Sequence, residues 1–317
     1  MLSRTAEHLY WIARYMERAE TVARLLEVGS RNALIPARSG GFRNEWEAVL
    51  QSSGTQDGFQ SKYGDLVARN IESYLFFDLE NPSSIASSIS RARENGRIVR
   101  TALTSAVWDA LNSGYQELTE LRRTERSKLP MSNLIDWTLR QTMLLRGAIE
   151  DTQLRNDGYD FLNIGYYLER ADSTARLIDV KYFVLLPQVD YVGSGLDNFQ
   201  WRTILRALSA HRAFSWAYGG EITASKIADF LILNRKSPRA LVTAAEGAAT
   251  HLDRLARGYG RSGPAQTKAR ALLAELAEAS VGDVFDEGLH EFLTRVISDV
   301  ADLNQEIHRV YFSGDVR

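Results

Sequence analysis

The hydrophobic positions of this chain follow a helical period, and they are densest in residues 9–28, LYWIARYMERAETVARLLEV. At about 100° per residue, apolar side chains cover almost every side of this helix, which is typical of a helix in the interior of a protein. Glu17, Arg18, Glu20 and Arg24 interrupt the apolar pattern. We therefore predict a central helix that carries charged side chains into the core.

A second stretch of the same kind, FLNIGYYLERADSTARLIDV, occupies residues 161–180. Seven of twelve positions are identical between residues 17–28 and 169–180. The charged positions recur as Glu169, Arg170, Asp172 and Arg176. Self-similarity at a fixed spacing indicates an internal repeat. The pattern predicts two helical repeats, residues 1–156 and 157–317, of five or six helices each.

Helical periodicity continues through most of the remaining chain, with few alternating runs that would indicate strands. We predict an all-α helical bundle in which the two repeats pack as one continuous domain. A polar loop is expected at 52–61, and linkers at 36–44 and 187–195. The further helices are expected at 45–49 and beyond, 63–77, 82–112, 113–126, 133–156, 161–185, 197–218, 223–234, 240–259, 267–279 and 283–312.

The charged side chains in the two central helices allow two interpretations. Burial of a charge is costly unless the charge is paired, so the glutamates and arginines could form ion pairs that fix how the two helices pack. Alternatively, a charged cavity between the helices could bind a polar ligand, because the planar guanidinium group binds a carboxylate or phosphate through two parallel hydrogen bonds. In that case the candidate acid–base groups are Glu17, Glu20, Glu169 and Asp172, and the candidate binding groups are Arg18, Arg24, Arg170 and Arg176.

An arginine-rich segment, RARENGRIVR, occupies residues 91–100. Arg93, Arg97 and Arg100 fall on one stripe of the predicted helix. The corresponding part of the second repeat, aligned on Pro82 and Pro238, lacks these arginines. The stripe is therefore a candidate surface for a substrate or a protein partner, and a solvated basic face is the alternative. The full candidate set is Arg91, Arg93, Glu94, Asn95, Arg97 and Arg100.

The charge and composition of the chain give no indication of several kinds of partner and cofactor. A formal net charge of −2 gives no indication of nucleic acid or an anionic membrane as a partner. There is no cysteine, and no apolar run approaches the ~18–20 residues of a membrane span, so we expect a cytoplasmic protein. Glu287 and His290 have the spacing of a paired metal ligand, but no second Glu-x-x-His occurs. We expect neither a metal nor a cofactor.

The paired segments ERAETVARLLEV and LERADSTARLIDVKYF, together with NPSSIASSISRARENGRIVR and SVGDVFDEGLHEFL, resemble the bacterial alpha-E domain family. The resemblance spans nearly the whole chain and implies an all-helical fold. It also implies a genetic association with a circularly permuted ATP-grasp ligase and transglutaminase-like proteins. The positions carried over from the family's motifs are Glu17, Arg18, Glu20, Arg24, Glu169, Arg170, Asp172, Arg176, Arg91, Arg93, Glu94, Asn95 and Arg97.

This association implies a component of a system that makes or modifies a peptide through amide bonds. The leading hypothesis is a subunit that binds the ligase, or an acidic or peptide substrate, through its arginine- and glutamate-bearing helices. One alternative is an enzyme that forms or cleaves an amide with buried glutamate or aspartate as acid–base groups. A structural scaffold is the other alternative.

Overall fold

The computed structural model describes residues 1–33, 45–185 and 195–313. All regular secondary structure in these ranges is helical, which confirms the predicted all-α class. The α-helices are α1 Ser3–Asn32, α2 Glu45–Ser52, α3 Gln56–Lys62, α4 Ala68–Phe76, α5 Ile85–Ile98, α6 Ser105–Arg123, α7 Met131–Thr152, α8 Asp157–Leu185, α9 Gly195–Ala207, α10 His211–Tyr218, α11 Ala224–Ala228, α12 Leu241–Tyr259, α13 Pro264–Glu278, α14 Val281–Glu287 and α15 Leu289–Ile307.

Helices α1 and α8, which contain the two similar stretches, pack against each other at the centre of the bundle. Helices α5 and α7 cover α1, while α12 and α15 cover α8. Gly165 of α8 allows a close approach, since a Cβ atom there would overlap the carbonyl oxygen of Tyr10 on α1. The centre of the fold is therefore the crossing of these two helices. The division into two repeats at residue 156 remains a prediction.

The helix predicted for residues 82–112 is wrong in its extent. Helix α5 ends at Ile98, and a short 3₁₀ turn, Arg100–Ala102, separates it from α6. The hydroxyl oxygen of Thr104 accepts a hydrogen bond from the backbone N–H of Val107 and caps the new helix. Periodicity alone missed this break because apolar residues continue through it.

Two further long helices are divided in the same way. The predicted helix 197–218 consists of α9 and α10, and Ser209 between them has a positive φ of 55°. The predicted helix 283–312 is interrupted at Gly288, whose φ of 100° is one that L side chains rarely adopt. A π-helical turn, His308–Phe312, completes that segment.

The predicted polar loop at 52–61 is also wrong, because α3 occupies much of it. Phe59 is fully buried and stacks on Tyr63 with a centroid separation of 5.4 Å. One buried aromatic side chain therefore fixes a helix whose other residues are mostly polar. The predicted linker 36–44 and nearly all of the linker 187–195 lie outside the described residues. Within the described ranges, none of the helices combines the length and the apolar composition that a membrane span requires.

Candidate functional site

The crossing of α1 and α8 is joined by two reciprocal ion pairs. Arg170 of α8 donates to both carboxylate oxygens of Glu17 at 2.8 and 3.1 Å. Arg18 of α1 donates to both carboxylate oxygens of Glu169 at 2.6 and 3.0 Å. Both glutamates are buried, so the sequence-predicted candidates Glu17, Arg18, Glu169 and Arg170 meet at one place in the core.

Glu169 has a second partner that the sequence analysis missed. Arg14 Nε donates to Glu169 Oε2 at 2.6 Å, and its Nη1 donates to the hydroxyl of Tyr10 at 2.9 Å. The same Nη1 donates to Asn304 Oδ1 of α15 at 2.7 Å. Arg14 precedes Arg18 by four residues, so a helical wheel would have placed both on the same face.

Glu20 forms the other end of the network, and it also has two arginine partners. Arg24, one turn along α1, donates to Glu20 Oε1 from Nε at 3.0 Å and from Nη2 at 2.7 Å. Arg239, in the loop before α12, pairs with the same oxygen. Arg239 Nη1 also lies 3.5 Å from Glu17 Oε1. Arg239 lies outside the repeated stretch, which is why sequence similarity did not reveal it.

The arginine partners keep the buried carboxylates ionised. Burial alone would raise the pKa of Glu20, but the charges of Arg239 and Arg24 lower this pKa to about 2. Burial would likewise raise the pKa of Glu169, and Arg18 and Arg14 lower it to about 2. The pKa of Arg239 is lowered to about 10 by burial and by the neighbouring charge of Arg170. Glu20 and Glu169 are therefore anions. The charged form of Arg239 is destabilised by burial and by the nearby positive charge of Arg170.

A cavity of about 370 Å³ lies beside this network. It is bounded by α1, α7, α8, the turn between α9 and α10, and the loop before α12. Its volume falls within the range of small-molecule binding sites, roughly 300–1,000 Å³. The charged residues that line it are Glu17, Glu20, Arg24, Arg146, Arg170 and Arg239.

Arg146, on α7, is a further cavity residue that the sequence analysis missed. Its guanidinium carbon lies 3.8 Å from the ring centroid of Tyr166 on α8, and its Nη2 lies 2.7 Å from Glu150 Oε1. Such stacking holds the guanidinium plane in one orientation. The lining therefore has four arginines and two glutamates, and the surrounding wall is mostly apolar.

Arg18, Asp172 and Arg176 do not line this cavity. Arg176 donates to both oxygens of Asp172 at 2.7 and 3.1 Å, within one helix and partly exposed to solvent. The sequence-predicted residues of α1 and α8 thus divide into a cavity group and a group away from it. The cavity group comprises Glu17, Glu20, Arg24 and Arg170.

Arg93 and Arg97 of the predicted arginine stripe lie on the outer surface of α5, away from the cavity. The stripe is wrong at Arg100, which lies in the 3₁₀ turn after α5 and not on the helix. Arg93 lies over the rings of Trp108 and Tyr115, at 5.6 and 5.1 Å from their centroids. Arg97 is exposed and pairs with Glu94 at 2.6 Å.

The other members of the segment also contact aromatic side chains. Arg100 lies over Trp108 and Arg91 over Tyr15, at 5.2 and 5.8 Å from the ring centroids. Asn95 Oδ1 lies 2.5 Å from His8 Nδ1. The guanidinium groups of Arg91, Arg93 and Arg100 therefore lie over aromatic rings, whereas that of Arg97 is paired with Glu94.

The residues with metal-ligand spacing have other partners. Glu287 is paired with Arg295 at 2.7 Å, and His290 Nδ1 lies 2.7 Å from Asp179 Oδ1. No group of three or more histidine, aspartate or glutamate side chains in the described parts of the chain is arranged to hold a metal ion.

The chain is thus an all-helical protein in which each of the two central helices carries a buried glutamate that is paired with an arginine of the other helix. A cavity lined by arginines lies beside these ion pairs. The chain belongs to the Alpha-E family, described as a predicted alpha-helical domain with a conserved ER motif, which matches residues 1–312. The dipeptide Glu-Arg occurs at the helix crossing as Glu17-Arg18 and Glu169-Arg170, and a third time as Glu125-Arg126. No curated protein and no solved structure matches the chain significantly.

Proposed function

We propose that this chain is the substrate-binding component of an ATP-grasp-associated system that makes or modifies a peptide through amide bonds in the bacterial cytoplasm. The cavity beside the helix crossing holds a carboxylate-bearing or peptide substrate. The observation that carries this proposal is the excess of arginine over glutamate in the cavity lining. The link to the ligase, and to a transglutaminase-like protein, rests on the family resemblance.

The cavity has the charge that a carboxylate ligand requires. Its two glutamates are already held by arginines, so the unbalanced charge is positive. The lowered pKa of Arg239 has the same origin, since a buried cation next to Arg170 is less stable in its charged form. An anion in the cavity would relieve this repulsion and would be held by charge-assisted hydrogen bonds.

The arginine stripe supports a separate role as the docking surface for the ligase. Arg91 and Arg97 are exposed, and Arg93 is held by two aromatic rings. Arginine is enriched at protein interfaces, and a guanidinium fixed in advance loses less entropy on binding. The cavity and the stripe are thus two distinct sites with different ligands.

The geometry favours a binding role over the alternative of an enzyme with buried acid–base groups. A general acid or base works best when its pKa lies near the operating pH, whereas the pKa values of Glu20 and Glu169 are about 2. These carboxylates are suited to holding arginines in place. A structural scaffold would not need a cavity that binds a ligand. Binding of a carboxylate in the cavity therefore distinguishes the binding role from the scaffold alternative.

An ATP-grasp ligase of the kind that the family resemblance implies, taken from the same host, provides the test of the amide-forming role. Its ATP turnover with a peptide substrate is measured with and without the chain, and the dissociation constant of the two proteins is determined by calorimetry. We expect the wild-type chain to bind and to raise turnover. A double variant, Arg93→Ala with Arg97→Ala, is expected to bind the ligase at least tenfold more weakly.

Arg123→Ala is the matched control, because Arg123 is exposed and pairs with Glu120 at a spacing of three residues, as Arg97 pairs with Glu94. Unchanged ligase binding by the double variant would show that the stripe is not the docking surface. If the wild-type chain neither bound the ligase nor altered ATP turnover, the proposed role itself would be wrong.

A further inference from the structure

We infer that the cavity selects a monocarboxylate whose acid group is attached to an apolar group, with Arg146 and Ser237 as direct contacts of the carboxylate. A free aliphatic acid and the C-terminal residue of a peptide share this chemistry. The inference rests on the proposed function in one respect, namely that the cavity binds carboxylates.

Two hydrogen-bond donors in the cavity wall have no partner among the described residues. Nη1 of Arg146 and the hydroxyl oxygen of Ser237 are both buried and both unpaired. Ser237 is 1% exposed and lies next to Pro238 and Arg239 in the loop before α12. Other buried polar atoms of the described residues are unpaired as well, but these two donors line one cavity, where a ligand can supply the acceptor that a buried donor normally has.

The charge of the cavity and its apolar wall together indicate a ligand with one carboxylate. Four arginines and two glutamates line the cavity, and Glu150 pairs with Arg146 from outside it. Arg155 shares Glu150, since its Nη1 lies 3.4 Å from Glu150 Oε2, so the arginines of the lining keep an excess of at least one positive charge. This charge holds one carboxylate, whereas a second, at the far end of the ligand, would be buried against the apolar wall without a partner.

The rest of the wall is apolar and provides room for a hydrophobic group. It includes Met16 of α1, Leu145 and Ile149 of α7, and Phe230. The cavity volume of about 370 Å³ exceeds what a carboxylate alone would occupy, since one water molecule takes up about 30 Å³. An apolar group attached to the carboxylate would fill the space and bury its surface against these side chains.

Calorimetric titration of the full chain with acetate, butyrate, hexanoate, succinate and hexanamide tests the ligand class. Burial of each methylene group strengthens binding by about 0.8 kcal/mol, so each step of two methylenes from acetate to hexanoate should lower the dissociation constant about fifteenfold. Hexanamide, which lacks the charge, should bind at least thirtyfold more weakly than hexanoate.

Two pairs of variants test the contacts. Ser237→Ala should weaken hexanoate binding about fivefold and leave the melting temperature unchanged or higher, because the variant removes an unpaired buried hydroxyl. Ser88→Ala is the control, since the hydroxyl of Ser88 is also buried and unpaired but does not line the cavity. It should leave hexanoate affinity unchanged.

Arg146→Gln should weaken hexanoate binding at least tenfold. Its control is Arg126→Gln, because Arg126 is likewise partly buried, paired with Glu72 and stacked on the ring of Phe77. Equal effects of Arg146→Gln and Arg126→Gln would overturn the assignment of Arg146. Equal effects of Ser237→Ala and Ser88→Ala would overturn that of Ser237.

A comparison of N-acetyl-leucine with the tripeptide Gly-Gly-Leu, each also as its C-terminal amide, distinguishes the source of the ligand. Tighter binding of the tripeptide supports a peptide C-terminus as the ligand, and equal binding of the two compounds supports a free acid. Either conclusion requires that the two amides bind weakly. Binding of succinate with no gain from acetate to hexanoate would overturn this inference alone. If none of the carboxylates bound, the proposal that the cavity binds a carboxylate-bearing substrate would also be wrong.

Discussion

At the scale of single residues, each buried glutamate at the helix crossing is shared by two arginines. Glu169 is held by Arg14 and Arg18, and Glu20 by Arg24 and Arg239. A buried ion pair is costly to form, but removal of one partner is costlier still because it leaves an unbalanced buried charge. The glutamates therefore stabilise the fold by keeping the arginines paired.

Replacement of Glu20 by glutamine tests this account of the buried charges. Glu20→Gln leaves Arg24 and Arg239 close together without their shared anion, so we expect a loss of about 3–5 kcal/mol in the free energy of unfolding. Asp172→Asn is the control, since Asp172 is partly exposed and has Arg176 beside it on the same helix; it should cost about 1 kcal/mol or less. Urea unfolding measures both, and a Glu20→Gln variant as stable as the wild type would contradict the pairing account.

The pH dependence of stability follows from the pKa values of the same groups. The pKa of Glu20 and of Glu169 is lowered from 4.5 to about 2 in the folded protein. Their contribution is therefore fully present above about pH 4.5 and is lost as the pH falls toward 2, since the unfolded chain binds the protons first. Urea unfolding of wild type and Glu20→Gln should show a constant difference above pH 4.5 that shrinks below it. A difference that stayed constant to pH 2.5 would contradict the assignment.

The sequence reveals the residues of this network that lie in the repeated stretch, but not their partners elsewhere. Glu17, Arg18, Glu169 and Arg170 could be predicted to meet because their positions recur in two apolar helices. Arg239 and Arg146 could not, because each lies in an unrelated segment and reaches the cavity only through tertiary packing.

At the scale of helices, the crossing of α1 and α8 depends on a close approach of their backbones. Gly165 lies against the carbonyl group of Tyr10, and the neighbouring Arg14 side chain also approaches it. A backbone carbonyl cannot move aside as the end of a flexible side chain can. The contact therefore fixes the distance between the two helices. This distance in turn determines how far the side chains of Arg170 and Arg18 extend to their glutamate partners on the other helix.

Gly165→Ala should separate the helices despite the higher helix propensity of alanine. We expect a loss of about 1–3 kcal/mol in the free energy of unfolding, because the added methyl group overlaps a fixed atom. Gly147→Ala on α7 is the matched control, since a Cβ atom there meets nothing within 4 Å, and it should stabilise the chain by about 0.5–1 kcal/mol. Thermal unfolding measures both changes. A stabilised Gly165→Ala variant would show that the close approach is not required.

Helix positions could be predicted from periodicity, whereas several helix ends could not. The break before α6 depends on the cap by Thr104, and the break before α15 depends on the backbone of Gly288. Both signals are single residues inside a continuing apolar pattern. Helix α3 was missed for the opposite reason, since Phe59 is its one buried residue among polar neighbours.

At the scale of the whole molecule, the two central helices serve both stability and the proposed binding site. Their ion pairs form one side of the cavity, while α7, the α9–α10 turn and the loop before α12 close the others. The surface stripe on α5 lies apart from this cavity. The proposed site for a small acid is therefore separate from the proposed surface for a protein partner.

A crystal structure of the full chain with bound hexanoate would show directly where a small acid binds. We expect the carboxylate within hydrogen-bond distance of Arg146 Nη1 and Ser237 Oγ, with the alkyl chain against Leu145, Ile149 and Phe230. Hexanoate bound only at the Arg93 and Arg97 stripe, with the cavity free of ligand, would contradict the proposed binding site.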